Sequence, residues 1–476
     1  MLQIKFVLLW SDLLFFVLIA AVVVGGVWAG RVEHLRLAWR QVGQSRVGMA
    51  TATVLLAFVL VALLDSLHYR ERLPGDQENY AVEVRSALDA ALTGLRTRTE
   101  KTYSAPLATH LFVKESINKH AGPPQVFLGP LRGELRAAEF SGGDADADLG
   151  RDFPRLQHGG AHLGDDLAVH DSDIAAKAVK GLGLGLLGTL VFGLASLPLR
   201  RAAPHLAWNA QLVTVLVLCL LAGVAAVLAG DYHVLGTDKV GQDVLYLTLK
   251  SVRTAILIGT LTTLIMLPAA VLLGLLAGYA GGWIDDVIQY LYTTLNSIPG
   301  VLLIAASVLM MQVVIDTHPE WFATTAERAD ARFLALCAIL GITSWTGLCR
   351  LLRGEVLKLR ELEYVQAARA LGVSHARILW RHVLPNVMHI VMIAIVMDFS
   401  GLVLAEAVLS YVGIGVDPNT ISFGTMINTA RMELAREPMV WWSLLAAFAF
   451  MFVLVLAANL FADVMRDAFD PRVVKR

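Results

Sequence analysis

Two carboxylates, Glu406 and Asp398, lie within one long uncharged apolar run, and a guanidinium, Arg350, lies at the end of another. An ionisable group at such depth in a bilayer costs several kcal/mol unless it faces water or a partner, so Glu406 and Asp398 are candidate pore or gate residues. For Glu406 an interhelical hydrogen bond explains the position equally well. A second constellation, His158, His162 and His170 among Asp165, Asp166, Asp171 and Asp173, has the donor types of a transition-metal site. Its spacing matches no defined site and its surroundings are glycine-rich, so no metal is assigned. Cys219, Cys337 and Cys349 sit inside or beside apolar runs, outside any CxxC pattern, and read as packing residues. The sequence has no GxxxxGK[ST] loop for nucleotide phosphates, no GxSxG and no HExxH. No enzyme activity is expected of this chain, and no cofactor bound by it.

The elements that hold these residues follow from composition. Of 476 residues 56% are hydrophobic and 17% charged, which is no soluble composition. With 39 Lys plus Arg against 40 Asp plus Glu, the net charge of −1 gives no field to attract nucleic acid. A helix crossing ~30 Å of hydrocarbon needs about 20 largely apolar residues. Nine runs qualify, at about 6–28, 47–64, 181–199, 207–229, 254–279, 287–315, 333–350, 387–414 and 440–461. The expected fold class is therefore an all-α polytopic membrane protein. The first run, with Lys5 before it and Val27-Trp28-Ala29 after, also resembles a signal peptide.

Sidedness follows from the basic loops. The linker carrying Arg31, Arg36, Arg40 and Arg46, the Arg200-Arg201 connector, the 350–385 segment and the tail ending Lys475-Arg476 fall on one face if nine spans alternate. By the positive-inside rule this face is cytoplasmic, so the C-terminus is inside and the N-terminus outside. The polar stretch 65–180 is then external. It holds the turn cluster Gly122-Pro123-Pro124 and an acidic run at 143–148, and partial folding is expected. Gly181 with Gly185, and Gly274 with Gly278, have the spacing of close helix contacts. Pro268 and Pro299 mark kinks, and Asp285-Asp286 reads as a solvated helix start.

The most informative stretch is cytoplasmic. From Leu362 to Gly372 the residues favour a helix, and a second short helical run from Ser374 stops before Pro385. Gly372 permits a sharp reversal, Ala367, Ala368 and Ala370 admit a close neighbour, and Arg369, Arg377 and Arg381 suit acids on a partner. Such an element fits docking into a groove on a soluble subunit.

Gln366-Ala367-Ala368, three residues, Gly372, nine residues, then His382-Val383-Leu384-Pro385 resembles the EAA loop of ABC-importer permeases, with Gln366 for the usual glutamate and His382 for an isoleucine. Leu235-Gly236-Thr237-Asp238-Lys239-Val240-Gly241-Gln242-Asp243-Val244-Leu245 is similar to the LGTDxxGRDVL segment of the dipeptide/oligopeptide/nickel permease family, in its second permease subunit. Similar in order are Ala277 to Asp285, Ser297-Ile298-Pro299, Ala405 to Gly415 and the stretch ending Asp470-Pro471-Arg472. The resemblance implies a six-helix permease core, one half of a heterodimeric pore, with two ABC ATPase subunits using ATP and Mg, an extracytoplasmic solute-binding protein and a bacterial inner-membrane location. It implies an ATPase-docking loop containing Gln366, Ala367, Ala368, Arg369, Gly372, Arg377, Leu384 and Pro385. Read first as a cap and turn, Asp238 and Asp243 become gate candidates through the same resemblance.

The organisation expected is an extra N-terminal helix at 1–30, a linker and first core helix at 31–64, an external insert at 65–180, two further spans at 181–229 and the core at 230–476 with its coupling loop at 351–385. The leading functional reading is an importer permease for peptides or a related small solute. Alternatives are a nickel or metal importer permease and a sensor or scaffold built on a permease core.

Overall fold

The computed structural model describes residues 4–31, 33–72, 80–81, 83–118, 149–163, 167–322, 324–417 and 419–469. The turn cluster at Gly122, the acidic run at 143–148, Asp165, Asp166 and the two C-terminal motifs from Asp470 onwards lie outside these. The helices are α1 (Trp10–Ala29), α2 (Glu33–Gln44), α3 (Arg46–Ser66), α4 (Ala87–Ala91), α5 (Thr93–Thr97), α6 (His170–Ala195), α7 (Leu197–Ala202), α8 (Trp208–Leu228) and α9 (Val244–Ala280). They continue as α10 (Gly282–Ser297), α11 (Gly300–Thr317), α12 (Thr325–Leu359), α13 (Glu363–Ala370), α14 (His375–Ile378), α15 (Leu384–Val412), α16 (Phe423–Glu433) and α17 (Trp442–Phe469).

Among the described residues nine helical segments are long and apolar enough to span a membrane, one for each expected run. Their ends differ where capping overrides hydropathy. Asp243 caps α9 by accepting the Leu245 and Tyr246 N–H groups at 2.8 and 3.3 Å, and Thr324 caps α12 through the Glu327 N–H. Both helices therefore begin earlier than their apolar runs. The run 287–315 is broken in two: Pro299 has no N–H, and Ile298 before it takes an extended conformation. Helix α10 is thus a separate amphipathic element, and the span is α11.

Helix α9 is the axis of the bundle. At 37 residues it reaches about 55 Å, so it tilts or projects beyond the hydrocarbon. It packs along α12 at its two glycines: a Cβ on Gly274 would stand 2.9 Å from the Cys349 carbonyl oxygen, and one on Gly278 would stand 2.6 Å from Val356 Cβ. The buried Cys337 and Cys349 belong to this packing. On the other side the Phe399 ring of α15 occupies the space beside Gly259. Helices α3 and α17 close the bundle.

Helices α1, α6 and α8 attach differently. Helices α6 and α8 form a hairpin at backbone contact, Gly181 and Gly185 meeting Val224, Cys219 and Gly223, and α8 lays it against α3. Helix α1 is held at its N-terminal end. Its leading strand β1 (Ile4–Val7) pairs antiparallel with β2 (His68–Glu71), which pairs with β3 (Arg85–Ser86). Asp12, fully buried, accepts from Arg253 Nη2 of α9 at 2.5 Å and contacts His68 Nδ1 at 2.7 Å, and the Ser11 N–H donates to Asp330 of α12 at 3.2 Å. The insert contributes β2 and β3, which β1 joins from the N-terminal side, and the pair β4 (Glu115–Asn118) with β5 (Leu149–Asp152). The transmembrane body is all α.

Candidate functional site

The loop between α12 and α15 is built from two short helices on a buried footing. Val365 and Ala368 of α13 and Ile378 of α14 pack with Val383 and Val387 against Leu352 and Val356 of α12. Between the helices Gly372 takes φ of +74°, which a side chain adopts only with strain, and a Cβ there would meet nothing. Its role is the backbone reversal, as expected. The reversal is closed by the Gly372 N–H on the Arg369 carbonyl and the Val373 N–H on the Ala368 carbonyl, both at 3.1 Å.

What faces outward differs from the expectation at one position. Ala368 is covered by this chain's own core, so it fixes α13 to the bundle instead of admitting a partner. The exposed set is Gln366, Ala367, Arg369, Arg377 and Pro385, with Leu384 half-buried. Leu371 (83% exposed) and Trp380 (62%) stand beside them, two large apolar side chains that the sequence reading passed over. Gln366 donates to the Glu361 carbonyl at 3.2 Å, so its amide is used locally. Tyr279 at the end of α9 contacts His375 Nδ1 at 3.0 Å, and Asn386 donates to the Tyr364 hydroxyl at 3.0 Å, which ties the loop to both neighbouring spans.

Asp285 is not solvated. It is buried and held bidentately by Arg353 Nε and Nη2 at 2.5 and 2.7 Å, and it accepts from Gln289. The Arg353 hydrogen bonds hold its carboxyl below the usual carboxylate range against the effect of burial. Asp286 is exposed. This pair clamps α10 to α12 just above the loop.

Within the membrane Glu406 and Asp398, both on α15, have opposite environments. Glu406 is 1% exposed and Oε1 accepts from Ser410 at 2.7 Å and from Ser422, the cap of α16, at 2.9 Å. That is the interhelical tie weighed above. Asp398 is half-buried and has no hydrogen-bond or ion-pair partner among the described residues.

At the other end of α9 the Leu235–Leu245 segment forms a turn with Gly236 and Gly241 at φ of +73° and +77°. Asp238 accepts the Val240 and Gln242 N–H groups, and burial pushes its carboxyl up. Asp243 caps α9 and its second oxygen meets His233 Nδ1 at 2.8 Å. His233 Nε2 lies 3.5 Å from Glu100 of the insert, which accepts the Gln157, His158 and Gly159 N–H groups. Burial alone would lower the His233 pKa, but Asp243 and Glu100 raise it to about 9; Glu100, against its own burial, is held near about 2 by His233 and the three N–H groups. The insert is thus docked on this turn. Thr237 exchanges hydrogen bonds with Ser104, and the Trp442 indole donates to the Thr237 carbonyl at 2.9 Å.

The histidines are not gathered. His162 Nε2 meets Asp173 at 2.8 Å, but the Lys177 ammonium lies within 2.8 Å of His162, Asp173 and Asp231 and supplies the cation of that cluster. His170 packs on the Tyr232 ring that also meets His162, and among the described residues no three such donors come close enough together to hold a metal.

The family model described as binding-protein-dependent transport system inner membrane component matches residues 270–475. The oligopeptide transport system permease protein OppC of Mycobacterium tuberculosis is 33% identical over 242 residues, 51% of this chain and 77% of the relative. OppC of Bacillus subtilis is 30% identical over 243 residues (51% and 73%), and the glutathione transport system permease protein GsiD of Pectobacterium atrosepticum is 32% identical over 241 residues (51% and 73%). The matched half is the helical core with its two-helix loop, and the likeness is to multi-pass permease components rather than catalytic subunits. The chain belongs to the dipeptide/oligopeptide permease family, the inner-membrane components of binding-protein-dependent ABC importers.

Proposed function

We propose that this permease is one half of a heterodimeric pore that imports peptides or a related small solute by alternating access. A solute-binding protein delivers cargo at the face that carries the insert, two ATPase subunits bind ATP with Mg at the opposite face, and the N-terminus lies outside. The observation that carries the reading is the loop itself: exposed Arg369, Arg377 and Arg381 with Leu371 and Trp380 on its surface, and Val365, Ala368 and Ile378 anchoring it beneath. Because the footing is buried against α12 and continuous with α15, a push on the loop is passed to those helices as a rigid displacement. Nucleotide must favour one arrangement differentially for that displacement to switch access.

Of the carboxylates considered for the pore, we take Asp398 as the one open to the path. Glu406, Asp238 and Asp243 act as ties and caps. We further take 31–64 and 230–476 as the core, with α1, the insert and the α6–α8 hairpin as additions around it. The relatives' names support peptides over a metal ion as cargo. The test is uptake of a labelled tripeptide into sealed vesicles holding the complete transporter. ATP-dependent accumulation that disappears when the chain is omitted supports the reading, and accumulation unaffected by its omission contradicts it.

A further inference from the structure

Asp398 lies fourteen residues from Leu384 and fourteen from Val412, the two ends of α15. At 1.5 Å per residue it is about 20 Å from either end, at the middle of the helix. No Lys, Arg or His among the described residues pairs with it. Turned toward lipid, an ionised carboxylate at this depth would cost several kcal/mol, so in its charged form it needs water or a cationic partner. Beside it runs an uncovered stripe of α15, Met397, Gly401, Leu404 and Val408, in which a Cβ on Gly401 would meet nothing. The stripe offers open space next to the carboxylate and, in Met397, an adaptable apolar wall.

We infer that Asp398 is a recognition site for positively charged cargo: a solute carrying a protonated amine passes along the uncovered stripe of α15 and pairs with this carboxylate halfway across. The inference rests on the reading of Asp398 as open to the transport path and adds the class of solute. A single acidic group at mid-depth lowers the cost of bringing an ammonium into a low-dielectric passage and gives an anion no such help. Selectivity between cargo charges therefore follows this residue.

The test uses the intact transporter in vesicles, with Cys219→Ala to remove the half-buried thiol and Gly401→Cys to place a reporter one turn from Asp398. The rate of modification at position 401 is compared for a quaternary-ammonium and a sulfonate methanethiosulfonate reagent. With Asp398 present the cationic reagent is favoured, and Asp398→Asn lowers the cation-to-anion rate ratio at least tenfold while Asp398→Glu retains it. Uptake of labelled trilysine relative to triglutamate falls in parallel. An unchanged ratio, or no modification at position 401, overturns the inference. So does separation of the two permease subunits by Asp398→Asn, which would show the carboxylate to be an ion pair between them. If no peptide is taken up but the reagent ratio responds to Asp398, the peptide reading fails and the cation site stands.

Discussion

Removing the Asp12 carboxylate tests whether α1 is integral to the permease. Asp12 is fully buried and bridges Arg253 and His68; Arg253 is 16% exposed. In Asp12→Ala the guanidinium keeps hydrogen bonds to the Ser66 and Ser11 hydroxyls, at 3.3 and 3.4 Å, and the Asp65 and Asp330 carboxyls remain close enough to act on it. Breaking a buried ion pair from one side costs about 3–5 kcal/mol, because the other charge is left uncompensated. With Arg253 retaining slight exposure and two hydroxyls, the lower end applies, about 3 kcal/mol, or roughly a hundredfold in the folding equilibrium. Replacing both partners by apolar residues, Asp12→Leu with Arg253→Met, removes the orphaned charge and restores stability to within about 1 kcal/mol of the parent. A denaturant titration of the detergent-solubilised chain, run as a double-mutant cycle, measures this. A cost below about 0.5 kcal/mol for Asp12→Ala, or a double variant as unstable as the sum of the singles, would refute the reasoning.

Other perturbations have signs fixed by the geometry. Since the folded pKa of His233 is raised from 6.5 to about 9, its contribution to insert docking is complete below about pH 6.5 and is lost as pH rises through 9. The Glu100 contribution is complete above about pH 4.5 and is lost as pH falls toward about 2. Proteolytic cutting of the insert is therefore slowest between about pH 4.5 and 6.5 and quickens on the alkaline side, and a flat profile to pH 9.5 would contradict the latch. Gly372→Ala should weaken the loop by about 1–2 kcal/mol through backbone strain alone, the space around it being open, and Gly372→Asn by less, read as hydrogen exchange of 363–378. Gly185→Leu should separate α6 from α8, seen as loss of a disulfide engineered between the two helices, while the core keeps its assembly with partners; retention of that disulfide would count against the glycine contact.

The outline of this architecture was legible because apolar run length and the Gly372 reversal are local properties. Helix starts were less so: Asp243 and Thr324 set them by capping, which hydropathy does not register. The inward turn of Ala368 depends on what lies under α13, and α13's eight residues offer too few positions to assign that face. Asp285 with Arg353, Arg253 with Asp12, and His233 with Glu100 pair residues far apart in the chain, so no local pattern joins them, and Asp285 read alone looks solvated. Glu406 and Asp398, alike in sequence context, are told apart only by the Ser422 cap that the α15–α16 turn brings to Glu406.

The central claim is that the loop seats an ATPase. Its most direct measurement is purification of the tagged chain from its native membrane in mild detergent, with mass spectrometry of what accompanies it, for the parent and for Gly372→Trp. The account predicts that ATPase subunits and a second permease accompany the parent, and that the ATPase alone is lost in the variant. Recovery of the parent without any ATPase, under conditions that preserve a control transporter, would contradict it.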